Sequence, residues 1–305
     1  MTGFTIAHFT DAHLPLHGRF RAAELFGKRA LSALNWARKR RLLHRREVAD
    51  ALRADILAHR PDHVAMTGDV VNFGLEREFA AAAAWLGGFG PGGAISFVPG
   101  NHEALARGAE GACAAAFAAF TAGDDADDGS ESWPWMRVRG PVALIGVSTA
   151  IPTPPLFAQG EAGAAQIAAL RRRLSAARGL CRIVLIHHPP TDMSRPRKAL
   201  RDRAAVAAAI AEEGAELVLH GHNHRNQLSW IDGAGARVPV LGAPSASGPP
   251  GRGVEPAEWR LLSIAPESGG YRIEILRRAL AAGGAFEVRG RFSLPPAIER
   301  APAAV

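Results

Sequence analysis

Apolar residues in this chain gather into short runs, and each run ends on polar residues of a narrow set. The segments "FTIAHFTDAH" (4–13), "DHVAMTGDVVN" (62–72), "AISFVPGNHE" (94–103), "LCRIVLIHHPP" (180–190) and "ELVLHGHNH" (216–224) each end in a group of Asp, Asn or His, and all but the first carry a glycine or proline directly beside it. Runs this short, rich in β-branched and aliphatic residues and bounded by turn formers, predict buried strands. Between them lie helical stretches: 47–60, the Arg-rich 163–178, and the Ala-rich "RAAVAAAIAEEG", which stops at Gly214. Strand and helix in alternation predict an α/β protein, in which sites form outside the carboxyl ends of strands. Beyond residue 224, "QLSWI", "RVPVLGA", "WRLLSI" and "YRIEIL" follow between Gly/Pro-rich loops and read as a meander of a second sheet.

A chain of 305 residues has room for two small domains or one large one. The five polar strand ends extend from residue 11 to residue 224 and must pack together if they share a site, so a single domain over 1–293 is expected, with 294–305 a loose tail. Two cysteines, Cys113 and Cys181, exclude a disulfide framework and a thiolate metal knuckle. The first strand begins at once, without a leader, and no apolar run is long enough to span a bilayer; a cytoplasmic protein, soluble or peripheral on a membrane face, is the expectation.

Charge changes the picture locally. Residues 19–46 hold ten Lys/Arg and one Glu, or +9, so the rest of a chain with net charge +7 sums to −2. This basic insert, about 17–47, has a helical pattern: Phe26, Ala30, Ala33, Leu34 and Ala37 share one face, Glu24, Lys28, Ser32, Asn35 and Lys39 the other. It follows the first polar strand end and should rise from the mouth of any site there. Three readings stay open: a flap packed on the domain, an interfacial helix or lipid-binding lid on an anionic membrane, and a nucleic-acid contact. Basic residues mixed with Trp, Phe and Leu suit a membrane surface, with Lys28, Arg29, Trp36, Arg38, Lys39, Arg40 and Arg41 as its contacts. Nucleic acid is disfavoured, because no aromatic stacking platform accompanies the charge.

The polar ends supply carboxylate, imidazole and amide oxygen without thiolate, a donor set for Mn²⁺, Fe or Zn²⁺. They exceed what one tetrahedral ion needs, which predicts two ions sharing a carboxylate. Such a pair activates a shared water and clamps the oxygens of an in-line displacement, typically at phosphorus. No Gly-x-Ser-x-Gly elbow, Cys–His pair or P-loop offers a rival nucleophile or phosphate cradle.

In order, Asp11-x-His13, Gly68-Asp69-x-x-Asn72, Gly100-Asn101-His102-Glu103, His187 and Gly221-His222-x-His224 resemble the five blocks of the calcineurin-like metallophosphoesterases. The resemblance implies a four-layer α/β/β/α sandwich of two mixed sheets flanked by helices. It implies one ion on Asp11, His13, Asp69 and His224, and a second on Asp69, Asn101, His187 and His222, with Asp69 bridging. His102 would face the substrate phosphate. Glu103 and His188 would stand behind the ligands or face substrate, and His220 would be a structural hydrogen-bonding residue. Some family members carry Asp where this chain has Asn72; Asn72 is expected to hydrogen-bond His102 without raising its pKa as a carboxylate does.

The compact length and the run "HHPP" make it similar to the bacterial phosphodiesterase branch, and the basic insert resembles lipid-acting members, phospholipase C-like enzymes or UDP-diacylglucosamine hydrolases. The expected function is a dinuclear-metal phosphodiesterase working through a metal-bridging hydroxide, with a membrane glycerophospholipid as substrate. A soluble cyclic-nucleotide phosphodiesterase is the main alternative; a nuclease or a scaffold without metals is more remote. The loop "APSASGPPGRG" (243–253) either lines the pocket or merely connects strands.

Overall fold

The structure, a computed structural model, describes residues 3–16, 18–124, 133–233 and 235–297. Side chains alternate across the first strand, β1 (Phe4–Phe9): Phe4 and Ile6 point to one apolar cluster, Ala7 and Phe9 to another. That period of two is the geometry of a strand buried on both faces. β1 pairs in parallel with β2 (His63–Met66), which pairs in parallel with β3 (Ile95–Phe97). The second sheet starts with β4 (Trp135–Arg139) antiparallel to β5 (Val142–Val147), then continues in parallel through β6 (Cys181–Ile186), β7 (Leu217–His220) and β9 (Arg237–Gly242). β8 (Gln227–Asp232) closes that sheet antiparallel to β9. The last three strands, β10 (Glu258–Glu267), β11 (Gly270–Leu280) and β12 (Phe286–Leu294), return to β1 and complete a first sheet of order β12-β11-β10-β1-β2-β3.

The expected single meander after residue 224 is therefore corrected: β8 and β9 join one sheet, β10 and β11 the other. All four are short amphipathic runs, and their partners are chosen by long-range packing that their own patterns do not encode. The strand β12 reaches Leu294, and residues 298–305 of the expected loose tail lie outside the described residues.

Helical segments α1 (Lys28–Asn35), α2 (Arg41–Leu43), α3 (Arg46–Ala58), α4 (Glu76–Gly87), α5 (Glu110–Thr121), α6 (Ala164–Ala176) and α7 (Arg203–Glu213) follow in chain order. Leu52 and Ile56 of α3, Phe79 and Trp85 of α4 and Phe117 of α5 bury against Phe9, Met66 and Phe97 on the outer face of the first sheet. Leu170 and Leu174 of α6 and Val206 and Ile210 of α7 do the same against Val184 and Val218 of the second. Between the sheets, Ile6, Leu262 and Ile273 meet Leu144, Ile183, Leu185 and Leu219. The result is the expected four-layer sandwich of two mixed sheets and flanking helices.

The basic insert is not one helix. A 3₁₀ turn (Ala22–Glu24) precedes α1, a π-type turn (Trp36–Arg40) follows it, and α2 ends at Leu43. The face expected to be continuous already divides before the π turn. Ala33 and Trp36 pack against the small cluster of Phe73, Leu75 and Leu105, whereas Phe26 is 74 % exposed and Leu34 is also open to solvent.

Candidate metal centre

Five parallel strands deliver their carboxyl ends to one edge of the sandwich: β1, β2 and β3 from the first sheet, β6 and β7 from the second. The turns there are unusual. Among the described residues, seven non-glycine residues have positive φ, and five of them are Asp11, His13, Asp69, His222 and His224, at 54°, 41°, 54°, 70° and 53°. Left-handed backbone is costly for such residues and persists only where the surroundings hold it, commonly at functional sites. Glycine makes the close approach possible. A Cβ on Gly221 would lie 2.0 Å from Thr10 Oγ1 and 2.6 Å from Asp11 Oδ2.

The expected ligands converge. Asp69 Oδ2 lies 3.4 Å from His187 Nε2 and 3.9 Å from His13 Nε2, between one histidine from each sheet. Asp11 Oδ1 is 3.1 Å from His224 Nε2, and His13 Nε2 is 3.2 Å from His224 Nε2. The ligating atoms of Asp11, Asp69 and His187 all lie within 4.8 Å of one another, as do those of His187, His188 and His222. The other atoms of these groups are occupied by protein. His13 Nδ1 faces the Val71 carbonyl (3.2 Å) and His187 Nδ1 that of Thr67 (2.7 Å), which fixes each ring with Nε2 inward. Asp69 Oδ1 accepts from the His102 amide (2.8 Å), and Asp11 Oδ2 from the Thr10 hydroxyl (2.8 Å) and the His222 amide (3.0 Å).

What is left over fits two cations. Asp11 Oδ1, Asn101 Oδ1, His187 Nε2 and His222 Nε2 are buried without a hydrogen-bond partner among the described residues. Buried polar atoms are seldom left so, and a carboxylate, an amide oxygen and two imidazoles make a donor set for hard-to-borderline divalent ions. Burial first, and then neighbouring Arg40, holds the His13 imidazole well below its usual range; burial and His188 do so for His222. Neutral imidazole is the ligating form. Burial pushes Asp69 up, but His187 and His102 hold it well below the usual carboxylate range; burial opposes the His187 charge, yet Asp69 raises it to about 9.

The neighbours divide by what they touch. His188 spends both ring nitrogens, on Thr149 Oγ1 (2.7 Å) and the Ala158 carbonyl (3.3 Å). Glu103 turns inward and accepts from the amides of Asp69, Val70, Val71 and Gly100 at 2.6–3.1 Å, locking the second and third turns together. His220 Nδ1 faces the Gly221 carbonyl at 2.9 Å. Asn72 corrects an expectation: its side chain donates to the carbonyls of His13 and Leu14, and it is the Asn72 backbone carbonyl that His102 Nδ1 reaches, at 2.7 Å. A carbonyl acceptor fixes the Nδ1–H tautomer and leaves Nε2 toward the site. Burial, with Arg40 next in effect, lowers His102 to about 3.

Two residues of the insert stand in the centre itself. Arg40 Nη1 donates to His102 Nε2 at 2.7 Å, and its Nη2 is 3.1 Å from both ring nitrogens of His13. His44, one turn on, puts its ring 4.4 Å from that of His13 and anchors Nδ1 against Ser247 Oγ at 3.0 Å. Sequence reasoning placed Arg40 at a membrane and passed over His44; their shared i, i+4 spacing directly after the first block was the available signal. Lys28 donates to Thr153 Oγ1, Arg29 to the carbonyls of Phe73 and Gly74, and Trp36 packs on Phe73, while Arg38, Lys39 and Arg41 are exposed. The 243–253 loop lines the site: Ser245 Oγ donates to the Asp11 carbonyl at 2.6 Å.

The calcineurin-like phosphoesterase family profile matches residues 4–226. The chain belongs to that family. Its solved relatives in shape include a purple acid phosphatase from yellow lupin (12 % identity, TM-score 0.59, 99 % of this chain and 57 % of that one). PhoD (10 %, 0.59, 98 % and 71 %) and Plasmodium GAP50, described as the anchor in the inner membrane complex (11 %, 0.53, 96 % and 89 %), are similar too. At such identities these likenesses speak for the fold alone, and the chain spans a little over half the length of the lupin enzyme. No curated protein matches it. Family membership and the His/Asp clusters together indicate a phosphoesterase with a dinuclear divalent metal centre.

Proposed function

We propose that the chain is a dinuclear-metal phosphodiesterase acting on a glycerophospholipid at an anionic membrane face, to which it binds peripherally. Asp11, His13, Asp69 and His224 hold one ion, and Asp69, Asn101, His187 and His222 the other. Divalent ions there supply Lewis acidity and an activated water for attack at phosphorus. Asp69 orients both halves of the ligand set, and Glu103 keeps its turn in place. His102 is held through Nδ1 by the Asn72 carbonyl with Nε2 facing the site, and it stabilises charge developing on the leaving side once Nε2 carries a proton.

The observation that carries the lipid reading is the outer surface of the insert. Leu25, Phe26, Leu31, Leu34 and Leu42 are all exposed there, beside exposed Arg38, Lys39 and Arg41. The loop bearing exposed Leu156 and Phe157 is joined to the insert through Lys28 and Thr153. Apolar side chains set among cations match a lipid surface with anionic head groups. A second reading, a soluble diester such as a cyclic nucleotide, draws support from the insert's inner face. That face is fastened by Arg77 to Glu24, by Arg29 and by Trp36.

The test is hydrolysis in Mn²⁺ of bis-p-nitrophenyl phosphate, a cyclic nucleotide, and phospholipid in vesicles with and without anionic lipid. Cleavage of phospholipid, faster on anionic vesicles, is expected. Turnover of the cyclic nucleotide alone would move the assignment to the second reading, and no turnover of any diester would end both.

A further inference from the structure

The head group of half-buried Arg40 reaches into the centre, yet no carboxylate lies within ion-pair distance of it among the described residues. Its neighbours at hydrogen-bonding distance are imidazoles: His102 Nε2 at 2.7 Å and the two nitrogens of His13 at 3.1 Å. An enclosed guanidinium without an anionic partner is expensive to maintain. Most of its five N–H donors are left for something that enters. Asp69 and Asp11 are near enough for their charges to favour the cation, against burial, which disfavours it. Those carboxylates are the ones committed to metal ligation, so neither is Arg40's partner.

We infer that Arg40 is the phosphate-binding residue of this site, holding a non-bridging oxygen of the substrate phosphodiester beside His102. A planar guanidinium fork matches phosphate oxygens in pairs, and phosphoryl transfer loads charge onto those equatorial oxygens. The position in the chain is as informative as the chemistry. Arg40 rides on the π turn of the insert rather than on any of the five ligand-bearing turns. Neighbours Lys39 and Arg41 face solvent while Arg40 turns inward, so of these three consecutive cations the insert delivers one to the reacting group. Lys198, from a turn beyond β6, is a second cation within electrostatic reach of Asp11 and Asp69; burial and Arg40 lower its pKa. The inference rests on the phosphodiesterase reading for its substrate, but not on the lipid.

Arg40→Gln and Arg40→Lys, compared with wild type, decide it. Four quantities are measured: bound Mn²⁺, melting temperature, KM and kcat on bis-p-nitrophenyl phosphate, and the calorimetric Kd for inorganic phosphate. Arg40→Gln is expected to keep wild-type metal content while KM and the phosphate Kd rise roughly ten- to hundred-fold. Arg40→Lys is expected to fall between, and added guanidinium ion to restore part of the Gln variant's activity. Wild-type KM and phosphate affinity in the Gln variant would overturn the inference, as would losses that follow lost metal alone. If the Gln variant melts early, the Lys variant, which keeps the charge but not the fork, carries the comparison of phosphate affinity. Absence of diester turnover by the wild type would instead count against the phosphodiesterase reading, and the phosphate titration would still separate Arg40 from its variants.

Discussion

Gly221 shows how closely the site depends on single atoms. It separates His220, whose Nδ1 faces the Gly221 carbonyl, from His222, both with an Nε2 that has no hydrogen-bond partner among the described residues, and its missing Cβ leaves room for Thr10 and the Asp11 carboxylate. Gly221→Ala should push Asp11 aside and cost the ion that Asp11 and His224 hold, leaving the Asp69–His187–His222 half occupied. Metal analysis would then give about one ion per chain where wild type gives two, with kcat down by at least ~10² if both ions share the chemistry. Gly235→Ala, at a position with open space around it, is the control. Unchanged stoichiometry in Gly221→Ala would contradict the division of ligands. The ligand residues were legible from sequence because each is an Asp, Asn or His placed directly after an apolar run. The resemblance assigned His187 rather than His188 from its place directly after the strand, and the hydrogen bonds agree with that: His188 bonds through both nitrogens, whereas His187 Nε2 has no hydrogen-bond partner among the described residues.

At the scale of elements, we propose two jobs for the insert, and its pattern concealed their division. A helical-wheel reading treats 19–46 as continuous, but the π turn re-aims everything after Trp36, which is why Arg40 and His44 enter the site while Arg38, Lys39 and Arg41 do not. Charge density pointed to a surface; which cation leaves that surface is a tertiary fact. The two roles separate by mutation. Changing Arg38, Lys39 and Arg41 together to Gln should leave turnover of bis-p-nitrophenyl phosphate intact. It should weaken binding to anionic vesicles by roughly a hundred-fold, at ~1 kcal/mol for each basic residue near such a surface. Phe26→Ser should weaken binding to neutral and anionic vesicles alike, because its contribution is apolar burial. Vesicle co-sedimentation reads both, and equal binding by wild type and triple variant would remove these three cations from any membrane role.

At the scale of the molecule, the centre exists only because two sheets are stacked with their parallel strands' carboxyl ends on one edge. The alternation of helix and strand, and the polar run ends, made the α/β class and the ligand order legible. The return of β10–β12 to β1 was not, because Leu262 and Ile273 could satisfy their burial against either sheet; the register from Phe4–Ile264 to His8–Arg260 is set by contacts some 250 residues apart. This construction couples metal to fold. Asp11, His13, Asp69 and Asn101 belong to the first sheet and His187, His222 and His224 to the second, so under the proposed division of ligands each ion would tie one sheet to the other. An unfolded chain has no such set, and binding therefore adds to stability by mass action, about 2.7 kcal/mol for each site at a hundred times Kd. With melting points moving roughly 2–4 °C per kcal/mol in domains of 150–250 residues, Mn²⁺ should raise the transition by several degrees over the chelated protein. Asp69→Asn, which weakens the one ligand common to both ions, should shrink that difference most, and His188→Gln least. Calorimetric melts with Mn²⁺ and with chelator measure it. A wild-type transition indifferent to metal would mean that the turns bearing Asp69 and His187 are held by protein contacts alone, and that the two sheets need no ion to stay in register at the site.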